Sequence, residues 1–477
     1  MVDLTFAIWI VVIPLLFHGL LLNSDGDLPR HIVTGGHILA AGPRFPDPFS
    51  FTRAGESFLA YEWLSQVVLA GVHAAAGLPG IVLLAASMLA GTFALVTRFV
   101  RRAGDPLLAF MTGIAAALLT YWHWLARPHL VTFLALALLL HILHSRRPLV
   151  WLVVLFAVWA NLHPGFLYGL AMVGIWSVGH AMDDVVGGSR VAAAAAKRGV
   201  MPAVAAVATL ANPFGWSLHV HALQHVGSDT ARMVNEFMPL DPTSALGIMF
   251  LLLLGAVVAG LAAHREWVGW HVLLVLGAAV FAAMVGSRNA PVFAVFALPI
   301  AAHALAPVAT GLPGRRLGRM RAEFARSDRP GARAGMAAAA LMLIFLPVNA
   351  RLPGVSILPR EFSEHVFPAH AVQAAREAGV TGRLLSEYTW GGYVLLMWPG
   401  QRVFVDSMVD FFGEDLMREY LAFRSASSGW ESRLRERDVS VVLLRPDAPL
   451  AEQLRRDPGW QTVHTDDVAV LLVRQTP

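Results

Sequence analysis

Residues 23–66 read NSDGDLPRHIVTGGHILAAGPRFPDPFSFTRAGESFLAYEWLSQ, a polar stretch entered directly from an apolar run at Leu4–Leu22. It gathers Asp25, Asp27, Asp47, Glu56 and Glu62 in a chain that is only 14% charged and 56% apolar. Soluble domains carry about a quarter charged residues, so the composition belongs to a bilayer. Acids are expensive beside a membrane helix and mark chemistry there.

Working outward, apolar runs of about 17 to 22 residues recur from Leu4 to Ala350, the length that bilayer-crossing helices need. The first run has no basic leader and no small-x-small cleavage site, so it reads as a retained helix. The net charge of +4 comes from arginines dispersed in short loops, with Lys197 the only lysine, which is no footprint for nucleic acid. The chain has no cysteine, which excludes disulfides, thiol nucleophiles and thiolate metal sites.

Basic residues concentrate in alternate loops, at Arg98, Arg101 and Arg102, Arg146 and Arg147, Arg190, Lys197 and Arg198, Arg265, and 315–333. The positive-inside rule places these in the cytoplasm. The N-terminus is then cytoplasmic, and the stretch from residue 23 and everything after Arg351 lie outside. Residues 63–77 are helical and apolar, but at about 15 residues they are too short to cross ~30 Å of hydrocarbon. They read as a juxtamembrane helix of an outer loop, 23–78. About eleven spans remain, near 4–22, 79–99, 105–123, 128–144, 148–161, 164–181, 199–212, 243–263, 268–286, 289–308 and 335–350. The short arm 148–161 ends at Asn161-Leu-His163-Pro164, a polar turn expected below the outer surface and lining a cavity.

The other outward turns are polar too. Arg127-Pro-His129 closes one, Asn212-Pro-Phe-Gly215 opens a longer loop through Glu236, and Arg288-Asn289 closes another. Arginines at outward helix ends suit a phosphate, to which guanidinium donates in bidentate fashion. Snorkelling to the interface is the alternative for each alone. His219, His221 and His225 lack an acidic or thiolate partner at matching spacing and read as an interfacial helix. From 351 the pattern changes to short strands (383–386, 402–406, 439–444, 460–464, 468–474) alternating with helices, a small α/β domain. It has no phosphate-binding glycine motif. Trp390-Gly-Gly-Tyr393, with Asp406, Ser407 and Asp410, groups aromatics and acids near strand ends. That cluster suits a sugar or a cavity mouth, and equally a seam against the membrane part.

Asp25-Gly-Asp27-Leu-Pro-Arg30-His31, Gly35, Asp47-Pro-Phe-Ser50 and Glu62-Trp63-Leu64-Ser65 together resemble the first outer loop of a bacterial membrane-protein group. That group is placed with the GT-C glycosyltransferases, which use polyprenyl-phosphate sugars. The similarity continues through Arg127-Pro-His129, Trp159-Ala-Asn161-Leu-His163, Asn212-Pro-Phe-Gly215, Arg288-Asn289, Trp390-Gly-Gly-Tyr393 and Val405-Asp406. It implies a multi-helix membrane enzyme over 1–350, GT-C-like, with a long first outer loop, juxtamembrane helices and an outward cavity, beside the extracytoplasmic α/β domain read above over 351–477. It also implies that an acid early in the loop serves as base or aligns the acceptor. Asp27 fits through its spacing to His31 and Gly35. Asp25 completes an Asp-x-Asp pattern that in some members of the superfamily holds a divalent metal. Pro29-Arg30 departs from the aromatics that often follow the acid.

The candidate catalytic residues are therefore Asp27 and Asp25. The candidate substrate-binding residues are Arg30, His31, Glu62, Arg127, His129, Asn161, His163, Asn212, Glu236, Arg288, Asn289, Trp390 and Tyr393. The expected partners are the bilayer, a polyprenyl-phosphate-linked sugar donor and a lipid, glycan or protein acceptor, in a bacterial cytoplasmic membrane. A transporter of lipid-linked glycans and a non-catalytic envelope assembly protein are the competing classes. For Asp27 itself the structural alternative is a helix cap ahead of Pro29.

Overall fold

The computed structural model describes residues 2–145, 149–226, 238–311, 314–326, 336–338, 340–341 and 358–475. Among these, five helices are long and apolar enough to cross a membrane, in α1 (Val2–Asn23), α3 (Trp63–Arg101), α4 (Pro106–Thr120, continued by a 3-10 turn to His123), α8 (Val191–Ala208) and Ala245–Ala263. Three apolar helices are shorter: α5 (Leu130–His144), α6 (Val150–Leu162) and Trp270–Val285. At 1.5 Å per residue the short ones rise about 20 to 24 Å, less than the hydrocarbon thickness. The polar turns at His129, His163 and Arg288 adjoin their ends. The expected span at 335–350 lies largely outside the described residues.

The 39 residues of α3 are two helices joined at Gly77, whose φ of +62° and ψ of −159° only glycine adopts readily. Pro79 follows at once, so the chain turns there as the lengths required. The first segment packs on α2 (Asp27–Ala41), with Gly35 pressed against the Gln66 carbonyl.

The loop after α2 holds an antiparallel hairpin of β1 (Arg44–Pro46) and β2 (Ser57–Leu59), and near the C-terminus a four-stranded sheet runs β3–β4–β6–β5: β3 (Arg383–Ser386), β4 (Val439–Leu444), β6 (Val470–Arg474) and β5 (Trp460–Thr465). β3 and β4 are parallel; the other pairings are antiparallel. The strand expected at 402–406 reduces to single bridges made by Val403 with Leu384 on one side and Ser50 on the other. Phe51 N–H donates to Val403 O at 3.1 Å, and Val403 N–H to Phe49 O at 3.1 Å. The loop after α2 thus adds a rung to the C-terminal sheet.

The two parts share a core. Phe45, Phe49 and Phe58 of the loop bury together with Phe404, Phe412 and Tyr420. Arg30 donates to Asp406 at 2.7 Å with both side chains fully buried, its guanidinium 4.2 Å from the Phe49 ring centroid. Gly26 and Gly392 permit the approach: a Cβ at Gly26 would fall 1.6 Å from Thr389 O, and one at Gly392 2.6 Å from Arg30 N.

Candidate active site

Between the bundle and this C-terminal unit lies a cavity of about 570 Å³. Ser24–Asp27 and His31 form one wall, Tyr61 and Glu62 an adjacent one, and the turns at 123–129, His163, Tyr168 and Arg288 the floor and far side. Val366, Phe367, Tyr388–Trp390, Ser407–Asp410 and Arg445 cover it from the C-terminal unit.

Asp27 is the first residue of α2 and caps nothing: Gly26 holds the cap position, and Asp27 N–H donates to Asp25 Oδ1 at 3.0 Å. Both carboxylates instead hold Arg127, which reaches Asp25 Oδ2 through Nε at 2.6 Å and Asp27 Oδ2 through Nη1 at 2.6 Å. The three side chains remain about a fifth exposed, on the cavity surface. Burial pushes the Asp25 carboxyl up against the pull of Arg127, and neighbouring Asp27 adds to the push.

Histidines ring the floor as neutral donors and acceptors. Burial, then the Arg127 charge, holds His31 down at about 3, and burial with Arg288 holds His163 at about 3. His129 donates Nε2–H to His123 O at 2.7 Å. Glu62 moves the other way. Burial, then Asp410 and Asp27, raises it to about 8, with Arg127 and Arg288 opposing.

Of the candidates read from the sequence, Asp25, Asp27, His31, Glu62, Arg127, His129, His163, Arg288 and Trp390 line the cavity. Arg30 does not, being consumed by Asp406. Asn161 is a staple between elements: it accepts Trp63 Nε1–H at 2.9 Å and donates to Ala157 O and Ala211 O. Asn212 shapes its own turn through Phe214 N–H. Asn289 acts one step back, accepting the Tyr168 hydroxyl at 2.6 Å. Tyr393 stacks on Phe367 behind the roof. Glu236 lies outside the described residues. Tyr61, Tyr168 and Arg445 line the cavity without any sequence signal, because lone aromatics and loop arginines announce nothing about the neighbours that folding gives them. Asp410, noted only within a cluster of strand-end acids, also reaches this wall.

A divalent ion at Asp25 and Asp27 fits poorly with this arrangement, because Arg127 already occupies the space between their Oδ2 atoms. Among the described residues one group has metal-ligand spacing, His180, Asp183 and His271, and it lies at the other end of α7 (Phe166–Val186) from the cavity. There Asp183 accepts Trp270 N–H at 2.9 Å and lies 3.0 Å from His271 Nδ1. The two imidazoles stack at 4.0 Å and 13°, so their lone pairs run side by side instead of converging.

No protein-family model matches the sequence, and no curated protein does either. Solved structures do match. The oligosaccharyltransferase AglB from Archaeoglobus fulgidus, in complex with an inhibitory peptide and a dolichol-phosphate, superposes with a TM-score of 0.60 at 12% identity, over 99% of this chain and 74% of that one. ArnT from Cupriavidus metallidurans bound to undecaprenyl phosphate gives 0.51 at 14% identity, over 98% and 97%. The arabinofuranosyltransferase AftD from Mycobacteria gives 0.56 at 15%, over all of this chain and 40% of that one. The fold of this chain is that of the GT-C membrane glycosyltransferases.

Proposed function

We propose that the chain transfers a sugar from a polyprenyl-phosphate carrier to a lipid, glycan or protein acceptor at the outer face of a bacterial cytoplasmic membrane. The observation that carries this reading is the shared cavity: acids Asp25, Asp27, Glu62 and Asp410 and cations Arg127, Arg288 and Arg445 meet on one surface under the outer loop. Transfer from a lipid phosphate needs a carboxylate for the acceptor and donors for the phosphate as charge develops on it. Arg288 and Arg445, on the same cavity surface, supply donors to the phosphate in this reading. Neighbours of the same fold hold dolichol-phosphate and undecaprenyl phosphate, which supports a lipid-phosphate donor here.

The same reading takes about eleven spans, a cytoplasmic N-terminus, a membrane part to about 350 and an outward C-terminal unit from 351. Asp27 orients the acceptor, with Asp25 and Arg127 fixing its carboxylate. The experiment is Asp27→Asn in the membrane-embedded chain, assayed for sugar transfer. The expected result is a loss of about 10² or more in kcat/KM with normal expression; full retention rules out the assignment of Asp27.

A further inference from the structure

Glu62 ends the outer-loop hairpin immediately before α3 and exposes only 10% of its side chain, on the cavity wall. Two neutral imidazoles close on it. His163 Nε2 lies 3.4 Å from Oε1, and His31 Nε2 lies 3.9 Å from Oε2. The tautomer of His163 is set from behind. Trp159 donates Nε1–H to Thr132 Oγ1 at 3.1 Å, which leaves the Thr132 hydroxyl to donate to His163 Nδ1 at 2.8 Å. Gly165 N–H donates to the same nitrogen at 2.9 Å. A ring nitrogen that accepts carries no proton, so the proton of neutral His163 sits on Nε2, facing Glu62. Gln66 Nε2 donates to His31 Nδ1 at 3.2 Å and fixes that ring in the same sense. The first chain requires a glycine, since a Cβ at Gly165 would fall 2.1 Å from Thr132 Oγ1 and 2.7 Å from His163 Nδ1.

The acids across the cavity are built differently. Asp25 and Asp27 share the Arg127 guanidinium, in ion pairs that engage the Oδ2 atom of each. We infer that Glu62 is the proton acceptor for the attacking nucleophile, with His31 and His163 as positioning residues and Asp27 orienting the nucleophile. This inference rests on the glycosyltransferase reading. The charged and titratable groups facing Glu62 are His31 and Asp27 from α2, His163, Arg127, Arg288, and Asp410 from the C-terminal unit. Tyr61 beside it stays protonated, its phenol pushed up by burial and Asp410. Burial with Asp410 and Asp27 brings Glu62 to about 8, near working pH, where a general base is most effective. In the step, the acceptor heteroatom bonds to the anomeric carbon as the carbon–oxygen bond to phosphate breaks. The bonding pair leaves with polyprenyl phosphate, and the acceptor's proton passes to the Glu62 carboxylate.

Infrared difference spectroscopy on the full-length chain in nanodiscs reads the carboxyl directly. The expected result is a protonated-carboxyl band present at pH 6, titrating near 8 and missing from Glu62→Gln. Titration near the ordinary 4.5, or a band unchanged in that variant, overturns the role without reference to activity. Transfer is then measured from undecaprenyl phosphate carrying one radiolabelled sugar, over a panel of hexoses and pentoses. The rate is expected to fall below the same midpoint, Glu62→Gln to lose 10² to 10⁴-fold, and Thr132→Val to displace the midpoint. A Glu62→Gln chain that transfers normally overturns the role alone. A wild-type chain with the expected band that transfers no sugar from the panel overturns the glycosyltransferase reading and this role with it.

Discussion

At the residue scale, the cavity separates carboxylates by their company. Asp25 and Asp27 hold a cation they share, whereas Glu62 faces two neutral imidazoles, with Asp410 and Asp27 outweighing the more weakly felt Arg127 and Arg288. This difference has a signature in stability. Glu62 sits at about 8 in the folded chain against an ordinary 4.5, so folding favours its protonated form. That contribution is whole below pH 4.5 and is lost as pH rises through 8. His163 and His31, at about 3 against 6.5, act oppositely: they stabilise above 6.5, and their contribution is lost as pH falls toward 3. Glu62→Gln cannot ionise. It is expected to match the wild type in thermal unfolding near pH 4.5 and to exceed it above pH 8 by a few kcal/mol, while losing activity. Equal melting of the two at pH 9 would contradict the environment described for Glu62.

At the scale of elements, the charged loop depends on where α3 breaks. Gly77 has open space around its missing side chain, with only Pro79 Cδ within 3.6 Å, so its requirement is backbone alone. Gly77→Ala is expected to cost about 1 to 3 kcal/mol, seen as a lower melting temperature in detergent. Gly77→Asn should do no better, because asparagine tolerates the ordinary left-handed region but not a ψ of −159°. An unchanged melting temperature for both would show that the kink can move. The division of 63–101 into a short loop helix and a span was legible from length and charge alone. The hairpin turn at Asn161 and His163 was legible as polar, yet only packing separated a staple from a cavity residue.

At the scale of the whole molecule, the charged loop 23–66 and the C-terminal unit form one body, locked by Arg30 and Asp406 across 376 residues. Burial raises the Asp406 carboxyl, and Arg30 opposes the shift. Removing one partner strands a buried charge, so Arg30→Met is expected to destabilise by about 3 to 5 kcal/mol and to expose the loop to limited proteolysis. The double variant Arg30→Met/Asp406→Leu should recover most of that loss, since an apolar pair of similar volume needs no counter-charge. Failure of the double variant to recover would mean the pair does more than neutralise itself.

The sequence alone determined that this is a membrane protein with a charged loop after its first apolar helix, that residues 63–77 stand apart from the apolar helix after them, and that acids and arginines gather at the turns between apolar helices. Those conclusions rest on hydropathy, length and charge, which act locally and survive without knowledge of neighbours. It also marked Arg127 as a phosphate binder and Arg30 as a site residue, because a lone arginine gives no sign of the carboxylate it will meet. Only the tertiary structure decided which carboxylate meets which cation: Arg127 went to Asp25 and Asp27, Arg30 to Asp406, and Glu62 to two histidines. The reason is physical. The acidity of residues 23–66 is written in the chain, but the proton affinity of each acid depends on burial and on charges brought within a few ångströms by residues up to hundreds of positions away.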